Sequence, residues 1–252
     1  MDKSQYIGIT ETSDPCFHLE IFDNLYAGNI IITKNLSNKL IEKLIEHKDK
    51  CILHCTCTGM GGSKIEPFVP TVEQTVKKMR KLIDDGFPVK QIVLRIDPIM
   101  PTAKGVDTAI NVLKAFSEFG IERVRISFID MYQHVKERFE ENNVKLPFRD
   151  SFHAADSIRQ FAFKQMQEEA IGLGYSHVYT CGEPGFEETP CISQLDIDIL
   201  GLTETITLEG NKKQRSNCSC PANKRQLISW EESKKKCGHE CLYCYVNYTH
   251  LK

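Results

Sequence analysis

Cys237, Cys241 and Cys244 stand near the C-terminus in a C-x3-C-x2-C spacing, with Tyr243 immediately before the third. Thiolates this close on one short loop suit a soft metal ion or an iron–sulfur cluster, because soft sulfur ligands select such centres. Three thiolates would leave one iron of a four-iron cluster without a protein ligand, open to another molecule. Zinc is the competing chemistry. A structural zinc takes four ligands, usually two C-x2-C-like pairs or cysteine with histidine. Cys218, Cys220, Cys237, Cys241, Cys244 and His239 could supply four, but C-x-C followed by C-x3-C-x2-C is not a common zinc spacing. The chain has 11 cysteines and no apolar signal core near its start, so clustered thiols read as metal ligands rather than as a secreted disulfide framework. Isolated ones such as Cys16 and Cys51 read as small buried apolar residues.

The elements that must position such a loop come in a repeated pattern. Residues 29–35 are a β-branched run suited to a buried strand, followed by a helix with Leu40, Ile41, Leu44 and Ile45 on one face. Residues 51–58 read as a second strand that runs into Gly59-Met60-Gly61-Gly62, a turn needing a permissive backbone. Thr71 with Gln74 forms a capping box for the next helix, which Gly86 can close. Residues 92–98 give a third strand, then a helix through Val106 and Phe116 ended by Gly120. Residues 124–130 give a fourth strand, and 136–151 read as an irregular insertion. A helix from about 154 to 171, a strand at 177–183 and a helix at 192–200 follow. Strand then helix, five times over, predicts an α/β protein with a parallel sheet. An open doubly wound sheet and a full or partial barrel both fit, and neither a G-x-G-x-x-G nor a Walker lysine loop is present. Polar residues recur where these strands end: Thr33 and Lys34, Cys57 and Thr58, Arg95 and Asp97, Ser127 and Asp130, Cys181 and Glu183. In barrels that rim carries the chemistry.

With 252 residues, 41% apolar and 26% charged, the chain can bury an ordinary core. The formal net charge of −2 gives no global pull toward nucleic acid or membrane. No apolar run reaches a membrane span, and a cytoplasmic protein is expected. Texture changes after Glu209. Residues 211–236 hold eight Lys or Arg against two Glu, and include the only tryptophan, Trp230. Such a stretch suits a phosphate-bearing partner or a solvated connector. Two regions follow: 1–210 as the (βα) scaffold, and 211–252 as a basic linker with the cysteine segment. Residues 226–230 are expected as a strand that delivers the chain to the cysteine loop.

Cys237, Cys241, Tyr243 and Cys244 match, position by position, the C-x3-C-x-aromatic-C motif, and the chain thereby resembles the radical S-adenosylmethionine (SAM) superfamily. The resemblance implies a partial (βα)6 TIM-like barrel and a 4Fe-4S cluster on those three cysteines. It implies a fourth iron that chelates SAM, and reductive cleavage of SAM to a 5′-deoxyadenosyl radical that abstracts hydrogen from a substrate. In most of the superfamily the cysteine loop follows the first strand; here it is last. That order resembles a bacterial family with a C-terminal radical-SAM-type cysteine cluster and, more distantly, spore photoproduct lyases. The likeness extends to Ile31–Asn35, Thr58–Gly62 with Glu66 and Pro67, Arg95–Ile99, Ile126–Phe128, Cys181-Gly182-Glu183 and the Cys218/Cys220 pair. A circularly permuted barrel accounts for the order, since neighbouring termini tolerate permutation.

The resemblance implies that Tyr243 packs beside the adenine, and that Gly59, Gly61 and Gly62 meet the SAM amino group. Arg95 is placed to pair with the SAM carboxylate or structurally with Asp97 or Asp130. Ser127 and Glu183 are placed near the methionyl or ribose part. Cys181 and Glu183 are the candidate catalytic residues. Cys218 and Cys220, with Cys181 and Cys191, are candidates for a second iron–sulfur cluster or a hydrogen-atom donor. The expected partners are a small-molecule or nucleotide substrate, with nucleic acid as one option, and an electron donor such as flavodoxin or ferredoxin. The rival functions are a non-catalytic iron–sulfur or zinc-stapled protein and a basic nucleic-acid-binding module.

Overall fold

The computed structural model describes residues 4–210, 218–233 and 237–246. Seven parallel strands form one sheet in the order β6-β5-β4-β3-β2-β1-β7. They are β1 (Ile7–Ile9), β2 (Gly28–Thr33), β3 (Cys51–Thr56), β4 (Ile92–Ile99), β5 (Arg123–Phe128), β6 (His177–Thr180) and β7 (Lys224–Gln226). The expected α/β class with a parallel sheet is what the chain adopts. Strand pairing links each neighbour in that order and leaves β6 and β7 as the two edges, so it does not close a ring among the described residues.

The helices are α1 (Asn38–Glu46), α2 (Val72–Asp84), α3 (Ala103–Phe116), α4 (Gln133–Glu141), α5 (Asp156–Gly172), α6 (Gln194–Ile199) and α7 (Trp230–Ser233). Local chemistry starts and stops them. Ser37 accepts from the Leu40 amide ahead of α1. Thr71 and Gln74 cap each other's backbone ahead of α2, as their spacing predicts. Gly86 and Gly120 take the left-handed backbone where α2 and the turn after α3 end, a conformation other residues rarely adopt.

Alternation along the strands divides the core in two. Ile31, Leu53 and Leu94 face one cluster, which also contains the buried faces of α1, α2, α3 and α5. Ile30, Ile52 and Val93, their immediate neighbours, face a second cluster built from Ile7, Ile9, Cys191, Ile192, Ile197, Ile206, Cys218 and Cys220. The main helices thus share one face, while the 191–220 segment fills part of the other. Cys51, Cys55 and Cys57, each an even number of residues from the others, all lie in the helix-side cluster, and Cys51 is fully buried as expected of an isolated cysteine.

Three expectations are corrected. Residues 136–151 are not wholly irregular, because α4 covers their start and buries Val135 and Phe139 against Met131 and Leu146. The strand near the cysteine segment is Lys224–Gln226, not 226–230; helix α7 already begins at Trp230. The first strand expected, 29–35, is not the first: β1 precedes it, standing between β2 and β7 and pairing with both. β1 is easily missed in the sequence: it has three residues, one of them Gly8, inside a polar N-terminal stretch.

Candidate functional site

One cavity of about 1240 Å³ collects residues from the C-terminal ends of all seven strands. Its lining includes Thr10 after β1, Thr33 of β2 and Lys34 just after it, Thr56 of β3, Arg95 and Asp97 of β4, Ser127 of β5, Cys181 after β6 and Gln226 of β7. Cys237, Cys241, Tyr243 and Cys244 line the same space. The motif thiols and the strand-end polar residues, read separately in the sequence, therefore meet.

A buried carboxylate fastens the cysteine loop to the sheet. Asp14 Oδ2 accepts from His239 Nε2 at 2.8 Å and from the Lys34 amide at 2.7 Å. Its Oδ1 accepts from the Thr33 hydroxyl at 2.7 Å and the Cys16 amide at 3.0 Å. Burial alone would raise the Asp14 carboxyl; the hydrogen bond and charge of His239, with the Cys16 amide and Thr33 hydroxyl, hold it below its usual value. Phe17 packs edge-on against His239 from the other side, with 5.0 Å between ring centres. Farther along, Arg138 donates to the Cys244 and Val246 carbonyls, each at 2.8 Å.

A second buried carboxylate sets Tyr243. Glu66 accepts from the Tyr243 hydroxyl, from the Thr58 hydroxyl at 2.6 Å and from Lys34 Nζ at 3.3 Å. Lys34 also lies over the Tyr243 ring, 5.3 Å from its centre. Burial would lower the Lys34 ammonium, but Glu66, Cys241 and Asp97 outweigh it and raise it above its ordinary value. Cys237 and Cys241 are pushed up to about 11 and about 12 by burial, the latter against the pull of Lys34. Burial thus favours the protonated form of these two thiols, and a bound metal would have to displace their protons.

The remaining predicted residues fall in several places. Arg95 donates twice to Asp97 Oδ2, at 2.9 and 2.5 Å, which is the structural pairing left open by the sequence. Ser127 reaches the cavity and donates to Glu183 Oε1 at 2.9 Å. Glu183 itself is buried beneath that surface: its oxygens also accept from the Phe128 amide at 2.6 Å and Arg159 at 3.1 Å. Burial raises its carboxyl despite these donors. Gly59, Gly61 and Gly62 are not among the cavity-lining residues. A Cβ on Gly61 would lie 2.0 Å from the Pro70 carbonyl oxygen, and Gly61 bridges Glu66, so this glycine permits close packing of the loop on itself. Cys218 and Cys220 are buried away from the cavity that the motif thiols line, in the cluster that also holds Cys191. Of the basic stretch, Lys212, Lys213, Arg215 and Lys234–Lys236 lie outside the described residues.

Two donor groups have spacings suited to a single metal ion: Asp14 with Cys16 and His239, and Glu11 with Cys191 and Cys220, each with its donor atoms within 4.8 Å of one another. Cys237, Cys241 and Cys244 do not form such a tight group among the described residues. Asp14, Glu66 and Glu11 carried no motif signal. The nearest hint was Glu66 beside Pro67, noted only as part of a resemblance.

Fold and site together define a parallel α/β protein with a cysteine-lined cavity over the strand C-terminal ends and residues positioned to bind metal. Residues 22–246 match the family described as a domain of unknown function, DUF1848, and the chain belongs to that family. No curated protein matches it. Among the described residues, no helix is long and apolar enough to cross a membrane.

Proposed function

We propose that this protein is a radical SAM enzyme built on a circularly permuted partial (βα) barrel. One observation carries the reading: Cys237, Cys241 and Cys244 open onto the same cavity as the C-terminal ends of every strand. Laid flat, seven strands about 4.8 Å apart would separate the edges by about 29 Å. A single cavity lined by Cys181 after β6 and Gln226 of β7 favours a curled sheet. The shared helix face also favours a barrel over a doubly wound sheet, which carries helices on both faces.

The donor set suits a 4Fe-4S cluster. It consists of three thiols on one short loop, not gathered to the size of a single ion. When bound, the cluster would supply one electron to the SAM sulfonium, whose C5′–S bond would break to leave methionine and the 5′-deoxyadenosyl radical. Asp14, through His239, fixes the loop that carries the thiols. Glu66 holds Tyr243 as a rigid wall of the cavity, with Lys34 against its ring. Lys34 and Arg95 place two cations at the strand ends, where a substrate or SAM carboxylate would be bound. Asp130 and Ser127 offer hydrogen-bonding groups to hydroxyls on the far side. The volume exceeds that of a usual small-ligand pocket, leaving space for a substrate beside SAM. An electron donor such as flavodoxin or ferredoxin would serve the cluster, and the substrate would be a small molecule or a nucleotide.

The test is anaerobic reconstitution with iron and sulfide, followed by SAM and dithionite. Release of 5′-deoxyadenosine that depends on Cys237, Cys241 and Cys244 supports the enzyme. A stoichiometric cluster that never cleaves SAM, with candidate substrates present, would instead make the thiols a staple for the C-terminal segment.

A further inference from the structure

Another set of thiols gathers on the sheet face opposite the main helices, drawn from three separate stretches of chain. Cys181 Sγ and Cys191 Sγ lie 3.5 Å apart. The Cys191 amide donates to Cys220 Sγ at 3.2 Å. A Glu11 carboxylate oxygen lies within 4.8 Å of both Cys191 Sγ and Cys220 Sγ. Arg95 directs one guanidinium nitrogen to Cys181 at 3.7 Å and another to Cys191 at 3.8 Å. Lys224, its side chain 3% exposed, holds Glu11 at 2.8 Å.

Burial as small apolar residues explains Cys51 and Cys55, which sit among aliphatic side chains. It does not explain thiols that meet one another beside a carboxylate, the buried Lys224 and the largely buried Arg95. A cation gains little from a neutral thiol. It gains a charge-assisted contact from a thiolate, and a buried thiolate requires such compensation.

We propose that Cys181, Cys191, Cys220 and Glu11 form a site for one divalent, thiophilic ion of the zinc class. Zinc–sulfur bonds near 2.3 Å put the sulfurs of a tetrahedral site about 3.8 Å apart, close to the 3.5 Å between Cys181 and Cys191 Sγ; Glu11, Cys191 and Cys220 already form a group of single-ion size. An iron–sulfur cluster, with several metal atoms between its sulfurs, needs them farther apart. Three thiolates and a carboxylate around a divalent ion carry excess negative charge, which Arg95 and Lys224 offset. The Cys191 amide bond to Cys220 is of the kind that orients and tunes a metal ligand. Cys181 follows edge strand β6, Cys220 precedes edge strand β7, and Glu11 follows β1. The ion would therefore tie together the two edges that strand pairing leaves apart. This site does not depend on the chemistry of the Cys237–Cys244 loop.

The test is cobalt(II) titration of the intact, chelator-treated protein under argon, reading the sulfur-to-cobalt charge-transfer band. The band is expected in the unmodified protein and in Cys241→Ser, and is expected to vanish in Cys191→Ser and Cys220→Ser. Glu11→Gln should weaken cobalt binding by roughly tenfold or more, since even loss of an outer partner costs about 10–100-fold. A band lost with Cys241→Ser but kept in Cys191→Ser overturns the site, as does iron and sulfide content that depends on Cys191. If the cysteine variants do not fold, an unchanged cobalt affinity in Glu11→Gln overturns it. Cys241→Ser removes the proposed SAM chemistry while leaving these donors intact, so the two proposals fail separately.

Discussion

His239 Nε2 and Asp14 Oδ2 meet at 2.8 Å although 225 positions separate them in the chain. One lies inside the cysteine motif and the other in the loop after β1. Both are buried, and Asp14 also binds the start of the segment after β2 through Lys34. The contact therefore makes the position of the thiols a property of the sheet rather than of the loop alone.

Asp14→Asn should loosen the cysteine loop and cost about 1–3 kcal/mol, because buried donors lose an ionised acceptor. The folded carboxyl titrates below its ordinary value of 3.8. Its stabilisation is therefore full above that value and is lost as pH falls through the lower folded value. Thermal melts of the two proteins should differ at neutral pH and converge in strong acid. A gap that stays constant with pH would remove Asp14's charge from the account.

Glu66→Ala should be more damaging than Glu66→Gln. The alanine leaves the largely buried Lys34 ammonium without its carboxylate, a change that costs about 3–5 kcal/mol when one partner of a buried pair is removed. The glutamine keeps an acceptor for Thr58 and Tyr243. Urea midpoints compare the two, and equal midpoints would mean that Lys34 finds another partner.

Gly61→Ala should lower stability by about 1–3 kcal/mol, since the new methyl meets the Pro70 carbonyl and backbone must move. Differential scanning calorimetry reads this without any ligand. An unchanged melting temperature would show that the 59–70 loop relaxes freely, and would reopen this glycine to a purely ligand-facing role.

Cys237→Ala should abolish iron binding at the motif while the sheet stays folded, because the residue is half-buried on a terminal loop outside both main apolar clusters. Iron content and far-ultraviolet circular dichroism check the two halves of this expectation. Unfolding of the variant would recast the thiols as a structural staple, as many metal sites are.

Much of this molecule was legible before its coordinates. The capping box at Thr71 and Gln74, the glycines that end α2 and follow α3, and the strands expected at 29–35, 51–58 and 92–98, found as Gly28–Thr33, Cys51–Thr56 and Ile92–Ile99, follow from local rules of periodicity and backbone freedom. The cysteine spacing likewise marks candidate metal ligands, because ligand loops are local. β1 escaped notice because three residues carry too little pattern, and α4 because its apolar face is only Val135 and Phe139 in a charged stretch.

The sequence by itself determined the α/β class, the parallel sheet and the three motif thiols. Only the tertiary structure decided that β1 stands between β2 and β7, that Asp14 grips His239, and that Glu11, Cys191 and Cys220 share one small space. The reason is physical. Helix and strand preferences act over a few neighbouring residues, whereas these contacts join segments up to about two hundred residues apart and exist only once strand order is set. A buried carboxylate has no signature along the chain; its partners are chosen by the fold that buries it.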